Sequence, residues 1–388
     1  MKKRICILTA TRAEYGLLKP VILKLQRMED LEVLVVATGA HLSISHGYTL
    51  QEIEQDEIVV DRKIEILLSS DTGVAVSKAM GLAMISFSEY FEECQPNLLL
   101  VLGDRYETLA VCCAAMNMGI PIAHMYGGET TEGAIDESIR HAITKLSYLH
   151  FTSTELYRKR VIQMGEAPER VFNVGAMGIE NALSSKLLTK KELEASLDWK
   201  LYKPYGVVTF HPVTLEAGKA MLQVEALLKA LNHFTDMQFI ITKANADAEG
   251  AHINRHLEIY SNSHENVKLY DSLGMIRYLS ALKYSEMVIG NSSSGLIEAP
   301  SFQIPTVNIG DRQKGRLKAE SVIDCPAESS AIEQTMRLAR SSEYRSKIST
   351  VINPYGNGNT SDRIVAILDK YLFHEAIQLK KGFFDLSR

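Results

Sequence analysis

The sequence predicts an α/β protein made of two halves, each with a mostly parallel sheet covered by helices. Short apolar runs alternate with stretches of helical periodicity along the whole chain, and several of these runs are apolar at every position. A strand that is apolar on both faces is typical of a parallel sheet buried beneath helices. Loops beyond the carboxyl ends of such strands converge on one crevice, which is where these folds bind ligands.

In the first half, strand and helix signals alternate regularly, as in βαβ units. The predicted strands are residues 4–8, 32–37, 98–102, 121–125 and 148–152, and the predicted helices are 17–26, 74–92 and a run from about 138.

The second half repeats this alternation after a lysine-rich stretch, residues 181–203, which we interpret as a linker region. Its predicted strands are residues 206–210, 238–242, 267–270, 287–289 and 306–309. The amphipathic tail from 360 to 371 is expected to pack back on the first half. We therefore predict a first domain of residues 1–180, a second of 181–360, and a tail of 361–388.

Composition excludes several classes of function. A chain of 388 residues is long enough for two domains. Its formal net charge of −5 gives no basic surface for nucleic acid or for a membrane. No apolar run approaches the roughly 20 residues that span a bilayer. The five cysteines are an odd number, and three of them lie in apolar runs. Reduced thiols and a cytoplasmic location are expected from this.

Acidic residues follow two neighbouring strands of the first half. Asp104 and Arg105 come after the strand 98–102, whereas Glu129 follows the next strand and its glycines. Asp136 comes seven residues later, at the start of a helix-like run. We expect these carboxylates to face a common point, which is what proton transfer at a carbon or a leaving group requires.

A serine-rich turn, residues 291–295, joins a strand to a helix-like run in the second half. Backbone N–H groups and the positive end of a helix dipole at such a turn suit a diphosphate, and Glu298 suits ribose hydroxyls. The alternatives are that Ser292 and Ser293 simply cap the helix, and that Glu298 complements its dipole in the first turn.

One arginine and several histidines offer further candidates. Arg12 follows the first strand, where its guanidinium suits a phosphate, the alternative being a surface ion pair. His211 follows a strand and is the better site candidate, whereas His124 lies within an apolar strand and reads as a core residue. His141 and His150 lack metal-ligand spacing, so no zinc site is predicted.

Several ordered motifs resemble one family. They are TRAEYG, LGDRYE, GGET followed by AIDESIRHAITK, FHPVT, GNSSSGLIEAPS and NIGDRQKGR. Together they resemble the hydrolysing UDP-N-acetylglucosamine 2-epimerases, and within them the sialic-acid-pathway branch that also acts on UDP-N,N'-diacetylbacillosamine. The resemblance runs from the first strand to about residues 311–316. It implies two Rossmann-like domains facing each other across a GT-B-type cleft, and a homodimer.

The resemblance also implies roles for individual residues. Asp104, Glu129, Asp136 and His211 take catalytic positions, with Glu129 acting mainly in the first step. The UDP-sugar is assigned to His211, Asn245, Ser292, Ser293, Glu298 and Arg312, with Arg12, Gly16 and Arg105 added from the first half. Two departures are visible, Ala10 where relatives often have glycine and Leu17 where some have lysine, and the second puts one phosphate contact in doubt.

The chemistry implied is elimination followed by hydration. The C2 hydrogen of a 2-acetamido sugar is not acidic, so its removal is coupled to the departure of UDP from C1, which gives 2-acetamidoglucal. Water then adds at C1 while a carboxylic acid protonates C2 from the opposite face, releasing N-acetylmannosamine. The partners are the UDP-sugar and UDP, and no metal or redox cofactor is required.

Three alternatives stay open. The same chemistry on UDP-N,N'-diacetylbacillosamine differs only in the substituents at C4 and C6. A GT-B glycosyltransferase would share the UDP-binding half but would need an acceptor. A catalytically silent nucleotide-sugar-binding protein would not need the three carboxylates.

Overall fold

The computed structural model describes residues 2–44, 47–70, 72–130, 135–212, 220–244 and 250–386. It confirms the predicted class, because two separate parallel sheets alternate with helices along the chain. The chain divides into two compact units. The first contains the described residues up to Glu129, from Ile135 to Glu180 and from Gly358 onward, and the second contains Thr130 and the described residues from Asn181 to Asn357.

The first unit is built on a seven-stranded sheet with the order β3-β2-β1-β4-β5-β6-β7, in which all neighbours run parallel. The strands are β1 Lys3–Thr9, β2 Leu31–Thr38, β3 Val60–Ile64, β4 Leu98–Leu102, β5 Ile122–Met125, β6 Leu149–Thr152 and β7 Val171–Asn173. Every residue of β4 is buried, because separate hydrophobic clusters cover the two faces of the sheet. This explains its continuous apolar run.

The helices of this unit are α1 Arg12–Leu25, α2 Leu50–Gln55, α3 Gly73–Cys94, α4 Tyr106–Asn117, α5 Ile135–Leu146, α6 Glu155–Gln163 and the first half of α7 Met177–Ser184, whose second half belongs to the second unit. Two of them begin earlier than predicted. The Thr11 side chain accepts a hydrogen bond from the Glu14 N–H and starts α1 at Arg12. Helix α5 already includes Ile135, so Asp136 lies within its first turn rather than before it.

The second unit has a six-stranded parallel sheet with the order β10-β9-β8-β11-β12-β13. The strands are β8 Tyr205–Thr209, β9 Gln238–Thr242, β10 Val267–Tyr270, β11 Met287–Gly290, β12 Thr306–Ile309 and β13 Val322–Cys325. The helices are α8 Lys190–Leu197, α9 Ala220–Leu231, α10 Gly250–Ser263, α11 Gly274–Tyr284, α12 Ser294–Ile297, α13 Ser329–Arg340 and α14 Ser342–Ile348.

The predicted linker region contains the regular helix α8. The Thr189 side chain and Glu192 form a capping box at its start, and Leu193 and Leu197 are buried in the second unit. Its lysines lie on the outer face of a packed helix.

The chain returns to the first unit through α15, Thr360–Asp369, which packs against α1. Ile364 and Leu368 are completely buried in the core cluster that also contains Leu18. Ser361 donates to the Glu180 carboxylate from its backbone N–H and its hydroxyl. Within the described residues, no helix is long and apolar enough to cross a membrane.

Candidate functional site

A buried arginine joins the turns that follow β4 and β5 in the first unit. Arg140, on α5, forms an ion pair with the Asp104 carboxylate through Nη2, and its Nη1 donates to the Glu129 carbonyl oxygen at 2.8 Å. The Ser153 hydroxyl, just after β6, donates to Glu129 Oε1 at 2.8 Å. Arg140 therefore contacts the Asp104 carboxylate and the Glu129 backbone, while Ser153 orients the Glu129 carboxylate.

Asp136 lies one helical turn before Arg140 on α5, so the two residues share a face of the helix. The Asp136 side chain is exposed, whereas Glu129 is buried. Glu137 beside it lies 3.8 Å from Arg140 Nη1 and 3.5 Å from His141 Nε2. The same helix therefore carries one predicted catalytic carboxylate and the arginine that positions another.

His124 supports this arrangement from the core. It is completely buried in β5, its Nε2 lies 2.8 Å from the Gly103 carbonyl oxygen, and burial lowers its pKa to about 3. A neutral ring therefore anchors the turn immediately before Asp104. This agrees with the prediction that His124 is a core residue with satisfied hydrogen bonds.

Sequence reasoning did not single out a pair of buried carboxyl groups next to Arg105. Arg105 Nε donates to Glu107 Oε1 at 2.5 Å, and Glu107 is only 1% exposed. Glu14 accepts a hydrogen bond from the Ala10 N–H at 2.8 Å. Burial, and secondly the charge of Glu107, raises the pKa of Glu14 to about 7. The signal in the sequence was a glutamate in each of the motifs TRAEYG and LGDRYE.

The other two candidates of this unit occupy α1. The Arg12 guanidinium is about half exposed and lies 3.6 Å from Glu52 Oε1, which is the surface ion pair considered as its alternative role. A side chain at Gly16 would meet nothing within 4 Å. Neither packing nor backbone conformation in this structure therefore requires glycine at position 16.

In the second unit, hydrogen bonds of Asn291 link the segments that follow three strands. Its side chain accepts from the His211 N–H and donates to the His211 carbonyl oxygen, both at 2.8 Å. Its own carbonyl oxygen accepts from Arg312 Nη1 at 3.1 Å and from Gln313 Nε2 at 2.8 Å. Burial, and secondly Arg312, lowers the pKa of His211 to about 4, so its ring is neutral at pH 7. Sequence reasoning missed Asn291 and Gln313 as the residues that hold this arrangement.

The serine-rich turn follows β11 and starts the four-residue helix α12. Ser292 Oγ accepts a hydrogen bond from the Ser294 N–H at 3.4 Å, whereas Ser293, the N-cap residue of α12, makes no capping hydrogen bond with its side chain. Glu298 lies at the end of α12, not in its first turn, and the idea that it complements the dipole at the helix start is wrong.

Glycine is required at position 290, the last residue of β11, since a Cβ atom there would lie 1.9 Å from the Thr209 carbonyl oxygen.

Three buried polar atoms near this turn lack hydrogen-bond partners among the described residues. They are Glu298 Oε2, Ser294 Oγ and the Tyr278 hydroxyl. Burial raises the pKa of Glu298 to about 7. Buried polar groups are normally satisfied, so such a set is what a polar ligand would complete.

Asn245, the remaining residue assigned to UDP, lies outside the described residues. In the described part of the chain, no group of three or more His, Cys, Asp or Glu side chains is arranged to hold a metal ion.

Comparisons with known proteins extend these observations. The sequence profile of the family described as UDP-N-acetylglucosamine 2-epimerase matches residues 23–369. The GDP/UDP-N,N'-diacetylbacillosamine 2-epimerase (hydrolyzing) of Campylobacter jejuni is 43% identical over 99% of this chain and all of that protein. The polysialic acid biosynthesis protein P7 of Escherichia coli is 39% identical over 95% of this chain and 94% of that protein.

The fold is similar to that of a solved relative. The UDP-GlcNAc 2-epimerase from Neisseria meningitidis, in a crystal structure bound to UDP-GlcNAc, matches with a TM-score of 0.83 at 22% identity, covering 95% of this chain and all of that one. The profile match and the identity to the Campylobacter protein cover nearly the whole sequence, and they agree with the motifs at the strand ends. The chain therefore belongs to the UDP-N-acetylglucosamine 2-epimerase family.

Proposed function

We propose that this protein is a hydrolysing 2-epimerase that converts UDP-N-acetylglucosamine and water to N-acetylmannosamine and UDP. The observation that carries the proposal is the arrangement of Asp104 and Glu129 around the Arg140 guanidinium. Together with the family membership, it supplies the acid/base groups that an elimination at C2 needs.

In the first step, the Glu129 carboxylate takes the C2 proton while the C1–O bond to UDP breaks, which gives 2-acetamidoglucal and UDP. The hydrogen bond from Ser153 to Oε1 fixes the direction of this carboxylate. A base that is already oriented avoids the cost of ordering it during the reaction.

In the second step, water adds at C1 and a carboxylic acid protonates C2 from the opposite face. Asp104 and Asp136 are our candidates for this acid, and the first is held by Arg140. The net reaction breaks the C1–O bond of the nucleotide sugar, adds one water and inverts C2.

We assign the nucleotide to the second unit, where the unsatisfied oxygen of Glu298 suits the ribose hydroxyls. Ser292, Ser293 and Arg312 would stabilise the diphosphate as it leaves. The neutral imidazole of His211 can donate or accept a hydrogen bond without adding charge. Arg12, Gly16, Arg105 and Asn245 stay assigned to the substrate by resemblance alone.

A second substrate is favoured by one specific comparison. The Campylobacter relative, at 43% identity, carries the name of an epimerase for N,N'-diacetylbacillosamine nucleotides. The same elimination and hydration on UDP-N,N'-diacetylbacillosamine is therefore our second candidate. The Escherichia coli relative, named for polysialic acid biosynthesis, supports the first.

Two further properties belong to the proposal. The resemblance to the family supports a homodimer. All five cysteines are free thiols, and three of them are buried, which supports a cytoplasmic location.

The test is to incubate the purified protein with each UDP-sugar alone in deuterated water and to follow the products by NMR. We expect release of UDP and of a free sugar with inverted C2 and one deuterium at that carbon. A glycosyltransferase would release little UDP without an acceptor, and a binding protein none. Either result, or conversion to a sugar still attached to UDP, would overturn the hydrolysing reaction.

A further inference from the structure

Residues 375–386, the last described segment of the chain, have no regular secondary structure but are hydrogen-bonded to the first unit. Lys381 makes most of these bonds, and its side chain is only 21% exposed. Its ammonium group donates to the carbonyl oxygens of Lys145 at 2.9 Å and Ser147 at 2.7 Å, and to Glu166 Oε2 at 2.9 Å. An ammonium group has three N–H donors, so all three are used.

The two carbonyl oxygens that Lys381 contacts lie at the carboxyl end of α5, Ile135–Leu146. The last carbonyl oxygens of a helix have no partners within it, and they carry the negative end of the helix dipole. A cation at this position therefore stabilises the helix end. Lys381 supplies it from a position 236 residues beyond Lys145 in the sequence.

Glu166, which follows the end of α6 closely in the sequence, holds the same lysine from the other side. Its carboxylate is completely buried, accepts from Lys145 Nζ at 2.5 Å and lies 3.2 Å from His150 Nε2. Burial opposes ionisation, but hydrogen bonds from His150 and from the two lysines outweigh it and lower the pKa of Glu166 to about 2. A buried carboxylate of this kind is stable only while its cations stay in place.

Two aromatic residues next to Lys381 extend this contact along α6. The Phe384 N–H donates to the Gly165 carbonyl oxygen at 2.9 Å, and its side chain packs on the small hydrophobic cluster between α6 and β7. The Phe383 ring lies directly over Gly165, where a Cβ atom would come within 2.3 Å of it. The carboxyl ends of α5 and α6 are therefore both in contact with residues 381–384.

Helix α5 also carries residues of the candidate site. Asp136 lies in its first turn, and Arg140, which is paired with Asp104, lies in its middle. Lys145 is five residues beyond Arg140, which corresponds to roughly 8 Å along a helix axis. A helix moves as a rigid body over this distance, so a shift of its carboxyl end displaces the Arg140 guanidinium.

Helix α6 contacts the turn that leads into Glu129. Arg160 Nη1 donates to the Gly128 carbonyl oxygen at 2.5 Å. A Cβ atom at Gly128 would lie 2.5 Å from the Tyr157 carbonyl oxygen, so the turn is packed directly against the helix. The position of α6 therefore sets the position of the Glu129 backbone.

We propose that Lys381 is a positioning residue for the acid/base group, because it fixes the carboxyl ends of α5 and α6 and through them the places of Arg140 and Glu129. It acts without touching the substrate. The kinetic consequence rests on the proposed function, whereas the fixing of α5 can be measured without any substrate.

The first test is Lys381→Met, which keeps a long side chain and removes the three hydrogen bonds. We expect kcat to fall about tenfold while KM stays within about twofold, because carboxylates are misplaced and the nucleotide is assigned to the second unit. The number of UDP sites found by calorimetry should be unchanged, which separates this loss from a loss of folded protein. Lys381→Arg should restore most of kcat, since a guanidinium also donates several N–H bonds.

The control for this test is Lys380→Met, at the exposed lysine next to Lys381 in the sequence. It should have the kinetics of the wild type. Wild-type kcat in Lys381→Met, or the same loss in Lys380→Met, would overturn the positioning role.

A double variant shows whether Lys381 acts through Arg140. Residues that act through one another have effects that are not additive in free energy. The kcat of Lys381→Met combined with Arg140→Lys should therefore be close to that of Arg140→Lys alone. If the two losses multiply in the double variant, the proposed route through α5 is wrong.

Hydrogen exchange measures the fixing of α5 without substrate. In Lys381→Met, the amides in the last turn of α5 should exchange about tenfold faster or more, while those of α4 keep their rates. Unchanged exchange in α5 would overturn the proposal even in an active enzyme. A wild type that releases no UDP would instead overturn the proposed reaction, and faster exchange in the variant would still support the role of Lys381 in holding α5.

Discussion

Arg140 Nη1 donates to the Glu129 carbonyl oxygen at 2.8 Å, while the same guanidinium is paired with Asp104. Because Arg140 is only 2% exposed, this one side chain fixes the relative positions of two loops that follow different strands. A planar guanidinium can bind both at once, whereas an ammonium group is a single point charge.

Arg140→Lys should therefore lower kcat by about a hundredfold through misplacement of the carboxylates. UDP affinity should change little, because the nucleotide is assigned to the second unit. Calorimetry with UDP and steady-state kinetics separate the two effects. Arg158→Lys is the matched control, since Arg158 also donates to backbone carbonyl oxygens in the first unit and has no proposed role. An equal loss of kcat in Arg140→Lys and Arg158→Lys would show that Arg140 acts only on the stability of the fold.

Glu129→Gln should abolish release of UDP. The amide oxygen can still accept the hydrogen bond from Ser153, so the geometry is kept while the base is lost. Rapid-quench measurement of UDP, with Glu155→Gln on α6 as the control, checks the result. Normal production of mannosamine by the Glu129 variant would remove this residue from the mechanism.

Asp104→Asn and Asp136→Asn should behave differently from the Glu129 variant. If these carboxyl groups act in hydration, elimination still occurs and free 2-acetamidoglucal accumulates together with UDP. Mass spectrometry detects the glucal directly. A variant that releases UDP only with the complete product would show that its carboxyl group does not protonate C2.

Ser292→Ala combined with Glu298→Ala should weaken UDP binding by about 2 kcal/mol or more, because partners of the nucleotide are left unpaired. Tyr278→Phe tests a neighbouring group, since the Tyr278 hydroxyl also lacks a partner among the described residues. Calorimetry measures the affinity of each variant for UDP. Ser263→Ala, on the surface helix α10, is the control. Unchanged affinity in the double variant would place the nucleotide elsewhere.

The sequence predicted the central strands and one edge strand, β10, well, and it missed the other three edge strands, β3, β7 and β13. Residues 238–242 form β9 as expected, because five successive apolar or uncharged residues match a strand that is buried on both faces. Strands β3 and β13 were missed because they lie at sheet edges, where exposed positions carry residues such as Arg62 and Asp324. The start of α1 was placed too late since its first turn is not apolar, although Thr11 is a recognisable cap.

The candidate site was also predicted only in part from the sequence. Asp104 and Glu129 were identified because they directly follow strands, and the topology brings those positions together. Arg140 and Ser153 were not identified. Arg140 lies inside a helix, and Ser153 follows a third strand. Their contacts depend on side-chain directions that sequence spacing does not specify. Asn291 was read as part of a serine-rich turn, whereas its side chain holds the backbone of His211.

The raised pKa of Glu14 predicts that the stability of the folded protein depends on pH. Its ordinary value is 4.5, and burial, together with Glu107, raises it to about 7 in the folded protein. The folded state therefore holds a proton that the unfolded chain has lost in this range. This contribution to stability is complete below pH 4.5 and disappears as the pH rises through 7. It is on the order of 3 kcal/mol at most.

Glu14→Gln should remove this pH dependence while keeping an oxygen that accepts from the Ala10 N–H. We expect the variant to be more stable than the wild type at pH 8, and the difference to shrink or reverse at pH 5. Chemical denaturation at a series of pH values measures it. Glu169→Gln, at an exposed glutamate of the same unit, should follow the wild-type profile. Parallel profiles for Glu14→Gln and the wild type would show that Glu14 is ionised in the folded protein at pH 5, with its charge balanced by Arg105.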